Sequence, residues 1–123
     1  MRTLAAVILA ALICGTLAVT SFAAPETVTG KLVDLACFSL DRSNTGIAHK
    51  GKGYDCAQNC AREGFAVGLL TSDGKVYQVS GDLAANKNAK LVPHMSHTVT
   101  ITGEITQKDG WTVISSGELA MAH

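Results

Sequence analysis

Five short segments in which apolar and polar residues alternate are the feature that most constrains the fold of this chain. Alternation with a period of two predicts β-strands that bury one face. The clearest case lies near the C-terminus, where Val99, Ile101 and Gly103 alternate with threonines. The five predicted strands are residues 26–36, 65–70, 75–80, 97–105 and 111–115, the last extending a little further at most. A sheet of this size fits a small closed or half-closed barrel, because closure removes exposed strand edges.

The connections between these strands range from tight turns to one long loop. Asp73-Gly74 and Asp109-Gly110 are strong signals for tight hairpin turns between strands two and three and between strands four and five. Residues 81–92 are polar with scattered Leu and Ala and predict one short helical turn, and residues 118–123 show no pattern. Residues 38–54 predict a loop that is longer than compact domains usually carry without a functional reason.

One segment, residues 55–64, has a helical signature between the first two strands. Asp55 is a suitable N-cap, and Gln58 three residues later completes a capping box. Gly64 suits the left-handed position that follows a helix. Cys56 and Cys60 are four residues apart, so both sulfurs are expected on the same face of this helix.

The N-terminus predicts a secretory signal peptide over residues 1–23, followed by a single domain over residues 24–123. Arg2 gives a positive start, residues 4–19 are apolar, and residues 21–23 (SFA) form a small-x-small cleavage site. An uncleaved membrane anchor is the alternative, since the apolar run approaches the length that spans a bilayer. We therefore expect a periplasmic or secreted bacterial protein that is not bound to the membrane after cleavage.

Charge and aromatic content exclude some classes of function. The chain has 10 Lys/Arg and 10 Asp/Glu, so it lacks the basic surface that nucleic-acid binding requires. One Trp, two Tyr and three Phe also offer few side chains for base stacking. No nucleophile–base arrangement, carboxylate pair or phosphate-binding glycine loop is evident, so we expect a protein that is not an enzyme.

Three cysteines, Cys37, Cys56 and Cys60, follow the predicted signal peptide. An odd number in a secreted protein cannot be closed entirely by internal disulfides. One interpretation is a site for one copper or zinc ion, with His49 from the long loop as the fourth ligand. The alternative is a disulfide from Cys37 to Cys56 or Cys60 that pins the helix to the barrel. Covalent haem is excluded, because Cys-x-x-Cys-His is absent.

Two further groups of residues are weaker candidates. Asp34 precedes Cys37 by three residues, and it either faces inward to support the loop and the cysteines or faces solvent without a special role. His94, Met95 and His97 include residue types that bind copper, and Met121 and His123 add two more. The simpler interpretation places both histidines on an exposed turn and Met95 in the end of the barrel.

Several motifs resemble those of a group of small secreted bacterial proteins of unassigned function. The group combines a G-x-[VI]-x-D-x-x-C strand, an H-x-x-C-A-x-x-C-x-x-x-G helix and a late V-T-[VI]-T-G strand. The matching segments here are residues 30–37 (GKLVDLAC), 55–64 (DCAQNCAREG), 73–77 (DGKVY) and 99–103 (VTITG). His49 lies seven residues before Cys56, whereas the group has its histidine about three before. The resemblance implies an OB-like β-barrel.

These observations predict an exported, mainly β, OB-like five-stranded barrel with one short helix between strands one and two. Its expected function is to bind a soft transition metal, copper or zinc, through Cys37, Cys56, Cys60 and His49, for metal handling or sensing. The alternative is a disulfide-stapled, non-enzymatic binding module that contacts an unknown periplasmic protein.

Overall fold

The computed structural model describes residues 24–49 and 55–122, apart from the side chain of Ser116. The predicted signal peptide, the last part of the long loop and His123 lie outside the described residues. The chain forms a closed barrel in which the strand order is β1-β2-β3-β5-β4, and β4 pairs with β1. The strands are β1 (Glu26–Asp34), β2 (Val67–Leu70), β3 (Val76–Ser80), β4 (Thr98–Lys108) and β5 (Trp111–Met121). The prediction of a mainly β, five-stranded barrel is therefore confirmed.

Strand pairing follows the two hairpins that the Asp-Gly turns predicted. β2 and β3 pair antiparallel across Gly74, which has a φ of 86°. β4 and β5 pair antiparallel across Asp109 and Gly110, whose φ angles of 52° and 81° are those of the hairpin turn that this dipeptide favours. β3 and β5 then pair in parallel, which closes the barrel.

Two helices lie between β1 and β2, α1 (Leu35–Leu40) and α2 (Cys56–Arg62). α2 is the helix that the sequence predicted, whereas α1 occupies residues that were expected to end the first strand and begin the loop. β5 also continues to Met121, through residues in which no pattern was found. Between β3 and β4 the chain forms short 3₁₀ turns at Gly81–Ala84 and Val92–His94.

The barrel interior is filled by aliphatic side chains from all five strands. Leu32, Leu69, Val99 and Ile114 are fully buried, and Met95 joins them with no exposed surface. A smaller cluster of Val33, Leu35 and Phe38 packs on the other face of β1. Among the described residues, no helix has both the length and the apolar character needed to cross a membrane.

Candidate metal centre

Asp34 sets the position of α1. It is the last residue of β1, and its Oδ1 atom accepts a hydrogen bond of 3.0 Å from the amide of Ala36, so it is the N-cap of the helix. Leu35 and Phe38, three residues apart, are the buried residues of this helix. Gly68 makes room for Leu35, because a Cβ atom at Gly68 would lie 2.5 Å from Cδ2 of Leu35. Cys37 is thereby held on the first turn of a helix that is packed on the sheet.

α2 is attached to the barrel by its buried face and by its C-terminal end. Ala57 and Ala61 are each 1% exposed and belong to the main core. Asn88 is also buried, and its side-chain amide donates 2.9 Å hydrogen bonds to the carbonyls of Ala61 and Phe65. Gly64, with a φ of 90°, takes the left-handed position that the sequence predicted. These contacts fix the face of α2 that carries both cysteines.

The predicted capping box at the start of α2 is wrong. Asp55 has φ −112° and ψ 29°, which is not the extended conformation of an N-cap, and its side chain makes no capping hydrogen bond. The Gln58 side chain instead donates a 3.3 Å hydrogen bond to the carbonyl of Val92. The first turn of α2 is instead held by the loop that precedes it, because the carbonyl of Ile47 accepts a 3.0 Å hydrogen bond from the Ala57 amide.

The hydrogen bond from the Ala57 amide to the Ile47 carbonyl also brings the loop after α1 close to α2. The beginning of this loop is tied to α1, since the carbonyl of Cys37 accepts from the Asp41 amide at 3.0 Å and from the Asn44 side chain at 3.1 Å. His49 follows two residues after Ile47 and is only 4% exposed. Three separate segments, α1, the loop and α2, therefore converge beside the end of β1.

Because α1, the loop and α2 meet at this point, the predicted ligands lie close together. Cys37, Cys56 and His49 each offer a ligand atom within 4.8 Å of the other two. Asp34, Cys37 and Cys60 form a second set with the same property. All three cysteines are free thiols and partly buried. The sequence therefore identified the cluster, and the structure adds Asp34 to it and places Cys37 at its centre.

Buried polar atoms without hydrogen bonds are concentrated in this cluster. Within the described part of the chain there are four such side-chain atoms, Oδ2 of Asp34, Nδ1 and Nε2 of His49, and Oγ of Ser96. Three of the four belong to the two ligand sets. An unsatisfied buried polar group typically costs about 1–3 kcal/mol. A bound cation would give the nitrogen and oxygen atoms a partner.

Both cysteines of the second set have thiols with raised pKa values. Burial, followed by the neighbouring Asp34 carboxylate and the Cys56 thiol, raises the pKa of Cys37 to about 11. The same causes in the same order raise the pKa of Cys60 to about 12. Both thiols therefore stay protonated at neutral pH unless a metal ion displaces the protons, so metal binding is coupled to proton release.

The other candidate ligands among the described residues do not join this cluster. Met95 has no exposed surface and packs in the main core, as the simpler interpretation predicted. His97 is exposed and His94 is partly exposed, and Met121 is 41% exposed at the end of β5. Asp34 is 1% exposed, which confirms the inward-facing alternative for this residue.

Comparisons of this chain with protein-family models, with curated proteins and with solved structures found no match. The functional interpretation therefore depends on the geometry of the cluster.

Proposed function

We propose that this chain is an exported bacterial protein that binds a soft transition metal, copper(I) or zinc(II), and handles or senses it in the periplasm. The ligands are Cys37, Cys56, Cys60 and His49. One observation carries the proposal: His49 is 96% buried, neither of its ring nitrogens has a hydrogen-bond partner among the described residues, and one of them lies within 4.8 Å of two thiols. A buried imidazole in that position is costly unless it binds something.

The chemistry of the ligand set supports this choice of metal. Thiolates together with an imidazole suit copper(I) and zinc(II), whereas calcium and magnesium prefer oxygen ligands. An ion about 2.3 Å from each sulfur and about 2.0–2.1 Å from nitrogen separates its ligands by no more than roughly 4.6 Å. Within the set of Cys37, His49 and Cys56 the ligand atoms lie within 4.8 Å of one another, so little movement is needed to close these three atoms around an ion.

The export part of the proposal is supported by the signal-peptide pattern of residues 1–23. Disulfide formation is the competing chemistry in that compartment, and Cys37 lies within 4.8 Å of both Cys56 and Cys60. If oxidation closes one of these pairs in the exported protein, the chain is a disulfide-stapled binding module for an unknown periplasmic protein instead.

The test is native mass spectrometry of the protein recovered from the periplasm, with free thiols alkylated before any reductant is added. We expect bound copper or zinc and three cysteines free of disulfide. In parallel, reduced metal-free protein is titrated with each metal against a competing chelator. His49→Ala should weaken binding by at least about 10–100-fold, the effect of losing even an outer partner of a metal ligand.

His97→Ala is the matched control, because this exposed histidine lies outside both ligand sets and its loss should leave the affinity unchanged. A mass two hydrogens light, with one alkylated cysteine and no metal, would exclude the metal site and leave the stapled module. Equal affinities for wild type and His49→Ala would show that the histidine is not a ligand.

A further inference from the structure

We propose a second ion position in the same cluster, formed by Asp34, Cys37 and Cys60, so that the sulfur of Cys37 bridges two zinc(II) ions. The first ion takes Cys37, Cys56 and His49. This inference rests on the proposed function and deepens it, because it assigns the metal stoichiometry and the oxidation state of the ions. It also gives Asp34 the role of a direct ligand.

The geometry separates the five side chains into two groups with one shared member. Ligands of a single ion must all lie within roughly 4.6 Å of one another, since no metal–ligand bond here exceeds about 2.3 Å. In the described residues, the sets that approach this condition are Cys37–His49–Cys56 and Asp34–Cys37–Cys60. His49 and Asp34 fall in different sets, and Cys37 is common to both. A bridging thiolate at Cys37 lets all five side chains bind without repacking either helix.

Each set contains a buried atom that has no hydrogen-bond partner in the part of the chain that the structure describes. In the second set this atom is Oδ2 of Asp34, on a side chain that is 99% buried. The other oxygen, Oδ1, caps α1 through the Ala36 amide, so the carboxylate is held in place with one oxygen free beside the thiols. Carboxylate oxygen is an ordinary zinc ligand but a poor ligand for copper(I). The second set therefore favours zinc.

Charge balance favours two divalent ions over one. With the metal bound, the three thiolates and the Asp34 carboxylate carry four negative charges, and His49 is neutral. One zinc(II) in the first position would balance only the Cys37 and Cys56 thiolates, whereas two zinc(II) ions would balance all four negative charges of the filled cluster. Among the described residues, the neighbouring groups that act on Cys37 and Cys60 are Asp34 and Cys56, both anionic when ionised.

The test is the number of zinc ions bound by reduced, metal-free protein, measured by native mass spectrometry during a zinc titration. Asp34→Asn is the decisive variant. Its side-chain oxygen can still accept from Ala36 and cap α1, but it has no charge and is a poor zinc ligand. Cys56→Ser and Cys60→Ser form a matched pair, because both change one sulfur on the same face of α2. Circular dichroism and thermal unfolding check that each variant is folded.

We expect two zinc ions in the wild type and one in Asp34→Asn, Cys56→Ser and Cys60→Ser. Cys37→Ser should lose both, since its sulfur contacts both ions. Copper(I) affinity should be unchanged in Asp34→Asn, because copper(I) uses the first position. Saturation of the wild type at one zinc, or two zinc ions in Asp34→Asn, would overturn the second position while the proposed function stands. Failure of the wild type to bind either metal would overturn both.

Discussion

The raised thiol pKa values predict how the stability of the metal-free protein depends on pH. Cys37 and Cys60 have pKa values of about 11 and about 12, above the ordinary thiol value of 9.0. The folded state therefore holds these protons more tightly than the unfolded chain does. The stability they contribute is fully present below pH 9 and is lost as the pH rises toward 11 and 12.

The size of the effect follows from the shift in pKa. Each unit corresponds to about 1.4 kcal/mol, and because Cys37 is partly exposed, solvent screening reduces the effect of its shift to about 1–2 kcal/mol in the free energy of unfolding. About 1 kcal/mol or more should be lost between about pH 9 and about pH 11 as Cys37 and Cys60 ionise. For a domain of this size that is a large fraction of the total stability.

The assay is urea denaturation in chelator and reductant across this pH range. Lysines and tyrosines also titrate there, so the wild type is compared with a Cys37→Ala/Cys60→Ala double variant that retains them. The difference between the two proteins in the free energy of unfolding should shrink by about 1 kcal/mol or more as the pH rises. A difference that does not change with pH, or the ultraviolet absorbance of Cys37 and Cys60 thiolates well below pH 9, would refute the reasoning.

Three substitutions away from the ligands test how the barrel supports the cluster. Gly68→Ala should displace Leu35 and α1, destabilise the fold by about 1–3 kcal/mol and weaken metal binding, as measured by denaturation and metal titration. Gly46→Ala, whose Cβ would meet nothing closer than 3.6 Å, is its control. Asn88→Ala should cost about 1–3 kcal/mol in urea denaturation, because the hydrogen bonds that its side chain donates to the carbonyls of Ala61 and Phe65 are lost. Met95→Ala should cost about 2–5 kcal/mol and leave the metal stoichiometry unchanged, and a loss of metal would show that Met95 is a ligand.

The barrel could be predicted from sequence because alternation and turn chemistry agree in most of its strands. The C-terminal half of β5 could not, because Gly117 and Glu118 interrupt the alternation. There the partner strand decides the conformation: Leu119 pairs with Ile101 and Glu118 with Thr102, and the register of the β4–β5 pair shifts between Thr102 and Glu104. Long-range pairing of this kind leaves little local signal.

Helix α1 was missed because six residues are too few for a helical period to appear. The signal that could have found it is local: Asp34 as an N-cap, followed by the apolar pair Leu35 and Phe38 at a spacing of three. At Asp55 the sequence predicted a cap that does not form. The residue types of a capping box are present, but the backbone does not adopt the conformation that a cap requires.

The candidate ligands were predictable because cysteine and histidine are few and chemically distinctive in this chain. Their arrangement in two sets was not, because it depends on α1. A strand continuing to residue 36 would alternate its side chains between the two faces of the sheet. The capped helix instead brings Asp34 and Cys37 together beside α2. The role of Asp34 follows from that change of direction, and alternation alone could not show it.

The unpartnered atoms of the cluster give a final prediction about stability with and without metal. Asp34 and His49 hold three of the four buried side-chain atoms that lack a partner in the described residues. Each such group costs about 1–3 kcal/mol, so the metal-free fold carries a local penalty that a bound ion removes. Zinc at a hundredfold excess over its dissociation constant should add about 2.7 kcal/mol, seen as a rise in Tm.

The matched comparison is His49→Phe, which replaces the imidazole with an apolar ring. We expect this variant to be at least as stable as the wild type without metal, because it removes two unsatisfied nitrogens from a buried position. It should also lose most of the rise in Tm on adding zinc. The same exchange at exposed His97 should change neither quantity. A metal-free His49→Phe protein that is several kcal/mol less stable would mean that the imidazole is satisfied in the native state, and that the cluster is not built for an ion.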